Sequence, residues 1–402
     1  MASRDYDLVV FGATGFTGRL VTDYLVQRRQ PLRLAIAGRN RAKLDEIAAA
    51  LGGVAILVAD ALDPAAVAEV ARRTRVVCTT AGPYAKLGSE LVAACAAAGT
   101  HYCDLTGEVP WMRRMIDAHH ARAEATGARI VHTCGFDSIP SDLGTWCLQQ
   151  ECIARFGRPA ARITALFGEL RGGMSGGTAA SALNLASEAA ADRETRRVLR
   201  NPYALDPDPA APRPAAPDVR SIGWDARVKQ FTFPFFMADV NTRVVRRAHA
   251  LAGQPWGASF VYEEKMSARG TAGGLAMSVG VTAALGGFAA ALGSPHVRPL
   301  IAKWLPQAGE GPSKEARERG HWKVCFIGEV GAAGGDRLVY IAEDHADPGY
   351  GSTAKMLGEA ALCLAQDPLT SAGGVLTPSV AMGGHLAERL RSAGLTFAPE
   401  RA

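Results

Sequence analysis

Along the first 135 residues, short apolar runs rich in Val and Ile alternate with Ala-rich stretches whose apolar positions fall at helical spacing. The runs Leu8 to Phe11, Leu34 to Ala37, Ala55 to Val58, Val76 to Thr79 and Ile130 to His132 predict strands. Helices are predicted between them at Gly18 to Gln27, Arg41 to Leu51, Pro64 to Arg72, Leu87 to Ala98 and Val109 to Thr126. Strands that are apolar on both faces belong in a parallel sheet covered on each side by crossover helices. The pattern therefore predicts an α/β, doubly wound parallel sheet.

After Gly135 the pattern changes. Extended runs at Ile163 to Leu170, Gln230 to Phe236, Ser259 to Met266, Trp322 to Val330 and Arg337 to Glu343 predict a mixed or antiparallel sheet, with a helix at Thr178 to Leu199. Six prolines between Pro202 and Pro217 exclude helix or central strand there, so this stretch is predicted to be a loop. Thr353 to Gln366 and Ser379 to Ser392 read as helices. The expected organisation is a nucleotide-binding domain at 1–135, an α+β substrate domain at 136–350, and C-terminal helices at 351–402 that return toward the first domain.

The span from Gly270 to Pro295 carries no charge and contains seven Gly and seven Ala. Its length matches the roughly 20 apolar residues of a membrane crossing. Three readings stay open: a true span, a hairpin or helix dipping into a membrane surface, and a buried helix pair lining a substrate tunnel. All suit an apolar substrate.

Composition narrows the classes. The 402 residues include 44 basic and 39 acidic side chains, a net charge of +5 with no dense basic block, which disfavours nucleic acid as a partner. Eight cysteines without a CxxC pair, and no secretory leader ahead of the first strand, predict free thiols in a cytoplasmic protein, with no metal site.

The turn after the first strand reads Gly12-Ala13-Thr14-Gly15-Phe16-Thr17-Gly18 and opens into a helix. Glycines there permit a tight bend and let a pyrophosphate approach backbone amides at the helix N-terminus. Gly12, Thr14, Gly15, Phe16, Thr17 and Gly18 are thus candidate cofactor contacts. The second strand ends in Ala37-Gly38-Arg39-Asn40. An NAD site usually carries a carboxylate at that point, whereas Arg39 suits a 2′-phosphate, so NADP(H) is the expected cofactor, with Asn40 beside it. Asp60, at the end of the third strand, is placed to reach the adenine edge or to cap its loop. Ala81, Gly82 and Pro83 follow the fourth strand, beside the point where ligands cross an open sheet.

Polar clusters mark the candidate chemistry: Tyr84 with Lys86, His101 to Glu108, and Cys134 to Asp142. Tyr84 is a candidate proton donor or packing aromatic. Asp137 and Ser138 are either helix caps or site residues at the domain crossover. His101 and Asp104 are placed to orient one another. Tyr-x-x-x-Lys is absent, which disfavours a short-chain dehydrogenase mechanism, and Ser175 reads as part of a turn rather than a nucleophile.

Taken together with Tyr102-Cys103-Asp104-Leu105-Thr106-Gly107-Glu108, Gly135 to Asp142, Gly177-Thr178 and Gly373 to Pro378, these motifs resemble the saccharopine dehydrogenase-like oxidoreductases over nearly the whole chain. Within that family the chain is most similar to bacterial trans-acting enoyl reductases. The resemblance implies a Rossmann-type NADP-binding domain interrupted by an α+β domain, with reaction at their interface. It further implies an apolar or carrier-tethered acyl substrate whose carbon–carbon double bond is reduced. Groups around Gly82, Tyr84 and Ser138 would then stabilise an enolate. Rival readings are imino- or amino-acid chemistry, for which Arg171, Arg227 and Arg243 are the available cations, and a non-catalytic NADP-binding lipid or membrane protein. Peripheral contact with the inner face of the membrane through 270–295, and an oligomer, also stay open.

Overall fold

A computed structural model describes residues 4–172, 176–306, 310–331 and 335–401; Ser175 lies outside them. In chain order the first part runs β1 (Tyr6–Phe11), α1 (Phe16–Gln27), β2 (Leu34–Gly38), α2 (Arg41–Ala50), β3 (Ala55–Val58), α3 (Pro64–Arg73) and β4 (Thr74–Thr79). It continues through α4 (Tyr84–Leu87), α5 (Ser89–Ala98), β5 (His101–Cys103), α6 (Val109–Thr126), β6 (Arg129–Val131) and α7 (Ile139–Phe156). The second part holds β7 (Arg162–Arg171), α8 (Gly176–Ala191), α9 (Arg193–Arg200), β8 (Gly223–Asp225), β9 (Gln230–Phe233), α10 (Ala238–Leu251) and β10 (Val261–Arg269). Then come α11 (Ala272–Gly293), α12 (Arg298–Ala302), α13 (Lys314–Glu318), β11 (His321–Val330), β12 (Asp336–Asp344), α14 (Thr353–Gln366), β13 (Gly374–Leu376), α15 (Pro378–Ser392) and β14 (Thr396–Pro399).

The strands make two seven-stranded sheets. The first, β13-β6-β5-β4-β1-β2-β3, is parallel throughout, with β1 in register beside both β2 and β4. Its interior strand residues Leu8, Val9, Val10, Ile36, Val76 and Val77 are fully enclosed, which is why the sequence runs are apolar on both faces. The second sheet, β14-β12-β11-β7-β10-β9-β8, is mixed: β7 and β10 are parallel and the other pairs antiparallel.

Four expectations change. The C-terminal segment holds more than helices: β13 extends the first sheet beside β6, and β14 closes the second beside β12. The helix read as Thr178 to Leu199 is two, broken where Asp192 turns to cap α9 by accepting from the amides of Glu194 and Thr195. The polar-looking His101-Tyr102-Cys103 is a buried three-residue strand, too short for periodicity to reveal. The Gly/Ala-rich span is neither a hairpin nor a buried pair; it is the single helix α11, with most of its surface exposed. The proline-rich stretch has no helix or strand, as its sequence requires.

The two sheets share α7, which leaves the end of β6 and packs on α10, β11 and α15. Asp142 in the first turn of α7 is buried, and its two carboxylate oxygens accept from the Ser379 amide at 2.7 Å and the Ser379 hydroxyl at 2.8 Å. One carboxylate thus ties α7 to the start of α15. Burial pushes its pKa up to about 7 against the opposing pull of these hydrogen bonds. Asp142→Ala leaves the Ser379 donors buried without a partner. It is expected to cost about 2 kcal/mol, read as a lowered thermal unfolding midpoint.

Candidate functional site

The site is built from loops at the carboxyl ends of the first sheet and the parts of the second domain that cover them. At the end of β1 the chain turns at Gly12, whose φ is +86° and whose missing side chain leaves room for Ala81, 3.0 Å from the place a Cβ would take. Gly15 donates its amide to the Gly12 carbonyl and is the N-cap of α1, with extended backbone and no capping side chain. A Cβ on Gly18 would stand 2.2 Å from the Gly12 carbonyl oxygen and 2.7 Å from the Thr80 hydroxyl. The first turn of α1 also lacks an acidic residue. Its amides therefore face a bend with neither side chains nor negative charge to fill it, the arrangement a phosphate needs. Thr14 is exposed and Thr17 half-buried; neither hydroxyl is hydrogen-bonded to another of the described residues.

Arg39 follows β2 and is exposed, with no ion-pair partner among the described residues. Its neighbour Arg41 is already paired with Asp45 at 2.9 Å. Asn40 caps α2, its side-chain oxygen accepting from the Lys43 amide at 3.0 Å, so the structure gives it a backbone role. Asp60 likewise caps its own loop by accepting from the Leu62 amide at 2.9 Å.

After β4, Thr80 donates its amide to the Phe11 carbonyl, which sets the loop beside the glycine bend. Ala81, Gly82 and Pro83 follow, half-buried, with a cis bond between Gly82 and Pro83. Glu108 holds this loop: its carboxylate accepts the amides of Tyr84 and Ala85, both at 2.9 Å, and the Ser181 hydroxyl at 2.8 Å. Burial raises the Glu108 pKa, and these hydrogen bonds limit the rise. Ser181 belongs to α8, so Glu108 pins the loop and the second domain together. The sequence marks Glu108 as part of a polar cluster and motif, but only the fold brings α8 to it.

The second domain also covers Phe16. The Tyr350 ring meets it edge-on at 5.3 Å between centroids, the Arg317 guanidinium lies over it at 5.5 Å, and a Cβ on Gly311 would stand 2.4 Å from the ring. Phe16 is therefore a domain-interface residue at the mouth of the bend.

Of the candidate catalytic residues, two have hydroxyls that are hydrogen-bonded within the fold. The Tyr84 ring is buried against Trp111, and its hydroxyl donates to the Thr79 carbonyl at 3.2 Å, with burial pushing its pKa well upward. Ser138 is fully buried and donates to Asn241 at 2.9 Å; Asn241 in turn donates to Glu264, which accepts from Tyr262 at 2.6 Å. That chain joins α7 to α10 and β10 and commits the Ser138 hydroxyl to structure. Asp137 differs. It is half-buried where the chain passes from the first sheet into α7, and its carboxylate has no hydrogen-bond or ion-pair partner among the described residues. Desolvation, reinforced by the charge of Asp104, pushes its pKa up to about 7.

Asp104 pairs with His132 at 2.7 Å and accepts from Tyr102 at 2.9 Å, not from His101, whose ring accepts the Arg129 amide at 3.1 Å. The other ring nitrogen of His132 is buried without a partner, and the ring lines a small cavity with Met112, Thr133 and Arg247. Elsewhere, His321, Glu343 and His345 gather within 4.8 Å at the ends of β11 and β12, a grouping the sequence spacing did not suggest. Arg227 is neutralised by Asp225 and Glu329, and Arg243 by Asp218, so neither is available to a substrate carboxylate. All eight cysteines are free thiols.

A doubly wound sheet whose first strand ends in a glycine bend too close-packed for side chains at Gly12 and Gly18, with an arginine after the second strand that has no ion-pair partner among the described residues, is the arrangement of an NADP-dependent oxidoreductase. Residues 8–131 match the family described as the saccharopine dehydrogenase NADP binding domain. The chain is 38% identical to a trans-acting enoyl reductase of Mycobacterium ulcerans, across 100% of this chain and 99% of the relative. It is 37% identical to one of Mycobacterium leprae, across 99% and 98%. The chain belongs to the trans-acting enoyl reductase family. Saccharopine dehydrogenase (L-Glu forming) from Saccharomyces cerevisiae superposes with a TM-score of 0.53 over 98% of this chain and 99% of its own at 14% identity, which shows a shared fold.

Proposed function

We propose that the chain reduces the carbon–carbon double bond of an α,β-unsaturated acyl thioester presented by a separate carrier, with Asp137 as the proton donor. The observation that carries the assignment of Asp137 is the place of its carboxyl, where the chain passes from the first sheet into α7 with no hydrogen-bond or ion-pair partner among the described residues; burial and the Asp104 charge push its pKa up to about 7. When bound, NADPH supplies the hydride that adds to the β-carbon. Arg39 would hold the 2′-phosphate, the amides from Phe16 to Gly18 would hold the pyrophosphate, and Ala81-Gly82-Pro83 would border the nicotinamide ribose. Asp137 in its acid form gives a proton to the α-carbon as negative charge leaves the thioester oxygen, so that hydride and proton together saturate the bond. The Tyr84 and Ser138 side chains hold the frame and take no part. An amino-dicarboxylate substrate is disfavoured because two of the three candidate cations, Arg227 and Arg243, are already neutralised within the domain, leaving Arg171 alone.

The test is NADPH consumption by the purified chain with carrier-bound enoyl thioesters against α-imino acids. Turnover of imino acids alone would overturn the reading. Arg39→Ala is expected to weaken NADPH about tenfold while leaving NADH unchanged, measured by fluorescence titration.

A further inference from the structure

The helix α11 breaks the rule that governs surface helices, which place apolar residues inward and polar ones outward. Its inner stripe, Gly274, Ser278, Leu285 and Leu292, lies on the side toward β9, β10 and α8. The opposite face is Leu275, Met277, Val279, Gly280, Ala283, Gly286 and Gly287, exposed and apolar. Cβ positions on Gly280, Gly286 and Gly287 meet nothing within 4 Å. The helix has just two polar side chains, and both turn back on it: Ser278 donates to the Gly274 carbonyl at 2.8 Å and Thr282 to the Ser278 carbonyl at 2.7 Å. Ser278 lies on the inner stripe and the Thr282 hydroxyl is bonded back to the helix, so the outer face presents no free polar side chain.

What flanks the helix identifies its partner. Residues 266–309 contain no Asp or Glu, while Arg269 precedes α11 and Arg298 and Lys303 follow it. Arg269 and Lys303 are exposed and have no acidic partner among the described residues. An exposed tryptophan stands at each end of the apolar surface: Trp224, 52% exposed, packs on Gly270 just before α11, and Trp304, 90% exposed, follows α12. Leu300 on α12 continues the apolar surface. An apolar strip bordered by cations and tryptophans complements the headgroup region of an anionic bilayer. A second copy of this chain would bring the same cations against one another.

Topology decides how the helix sits. At about 1.5 Å per residue its 22 residues are long enough to cross a bilayer. Yet β10 enters α11 and the chain returns to β11, and both strands belong to one sheet on either side of β7. A single crossing would require residues 294–320 to recross, and that stretch carries Arg298, Lys303, Lys314, Glu315, Arg317, Glu318 and Arg319. This topology therefore argues against a single crossing.

We infer that α11 and α12 dock the protein on an anionic phospholipid surface, with α11 parallel to the membrane plane and its outer face sunk to the boundary between headgroups and acyl chains. The inference is independent of the reaction assigned above.

Sedimentation of the full chain with vesicles tests it, comparing phosphatidylcholine alone with a mixture containing phosphatidylglycerol. The protein is expected to pellet with the anionic vesicles and to be released by salt. The double variant Leu275→Glu with Val279→Glu, and separately Arg269→Glu with Lys303→Glu, are each expected to lower binding at least about tenfold. Unchanged NADPH affinity and an unchanged unfolding midpoint report an intact fold. Wild-type protein that stays in the supernatant with both vesicle types overturns the inference. So does equal binding by the variants, or a vesicle-free dimer that Leu275→Glu with Val279→Glu dissociates, which would make this face an interface between copies.

Discussion

Asp137→Asn is expected to lower turnover by about 10²- to 10⁴-fold while leaving NADPH affinity unchanged, because it removes a proton donor and no cofactor contact. The pH profile carries the mechanism. A donor with a pKa near 7 is loaded below neutrality and empty above it, so the wild-type rate should fall as pH rises through about 7, and that limb should vanish in the variant. Stability separates this from a folding defect. Asp137, Asp142 and Glu264 all have pKa values raised by desolvation to about 7, so the folded chain holds protons more tightly than the unfolded chain does. Their contribution to stability is present below the ordinary carboxylate range and is lost as pH rises through about 7. Asparagine cannot ionise, so Asp137→Asn should unfold no earlier than wild type at alkaline pH. A variant that turns over at the wild-type rate with the same pH limb would remove Asp137 from the chemistry.

Gly18→Ala is expected to weaken NADPH binding about a hundredfold, read by titration of intrinsic fluorescence. The new methyl group would stand 2.2 Å from the Gly12 carbonyl oxygen, so one side of the bend must move. Overpacking of this kind costs about 1–3 kcal/mol, and here the displaced group is the backbone that shapes the cradle. Gly280→Ala, where a Cβ meets nothing within 4 Å, is the matched control and should leave affinity unchanged. Equal affinity in the two variants would show that the bend does not hold the cofactor.

Why the cofactor side was readable and the reaction side was not follows from the range of the interactions. Gly12, Gly15, Gly18 and Arg39 fall within one strand–helix–strand unit, so spacing along the chain carries the information about backbone conformation and charge there. Asn40 and Asp60 show the limit even there, since a cap and a ligand contact call for the same residue types. The Tyr84 and Ser138 motifs look open from the sequence, whereas their hydroxyls bond to Thr79 and Asn241, partners set by packing. The Asp104 and His132 pair spans strands β5 and β6, where sequence separation hides a 2.7 Å contact.

The alternation of apolar runs and helical stretches is enough to dictate a parallel sheet, because a strand buried on both faces and a helix buried on one leave different periodicities. Glycine spacing and one arginine are enough to dictate NADP(H). Left to the tertiary structure were the carboxyl that stays unpartnered, the loop that Glu108 ties to α8, and the outward exposure of an apolar helix. Each of these depends on which groups meet across the fold, and solvation at a site is a property of its neighbours in space rather than its neighbours in the chain.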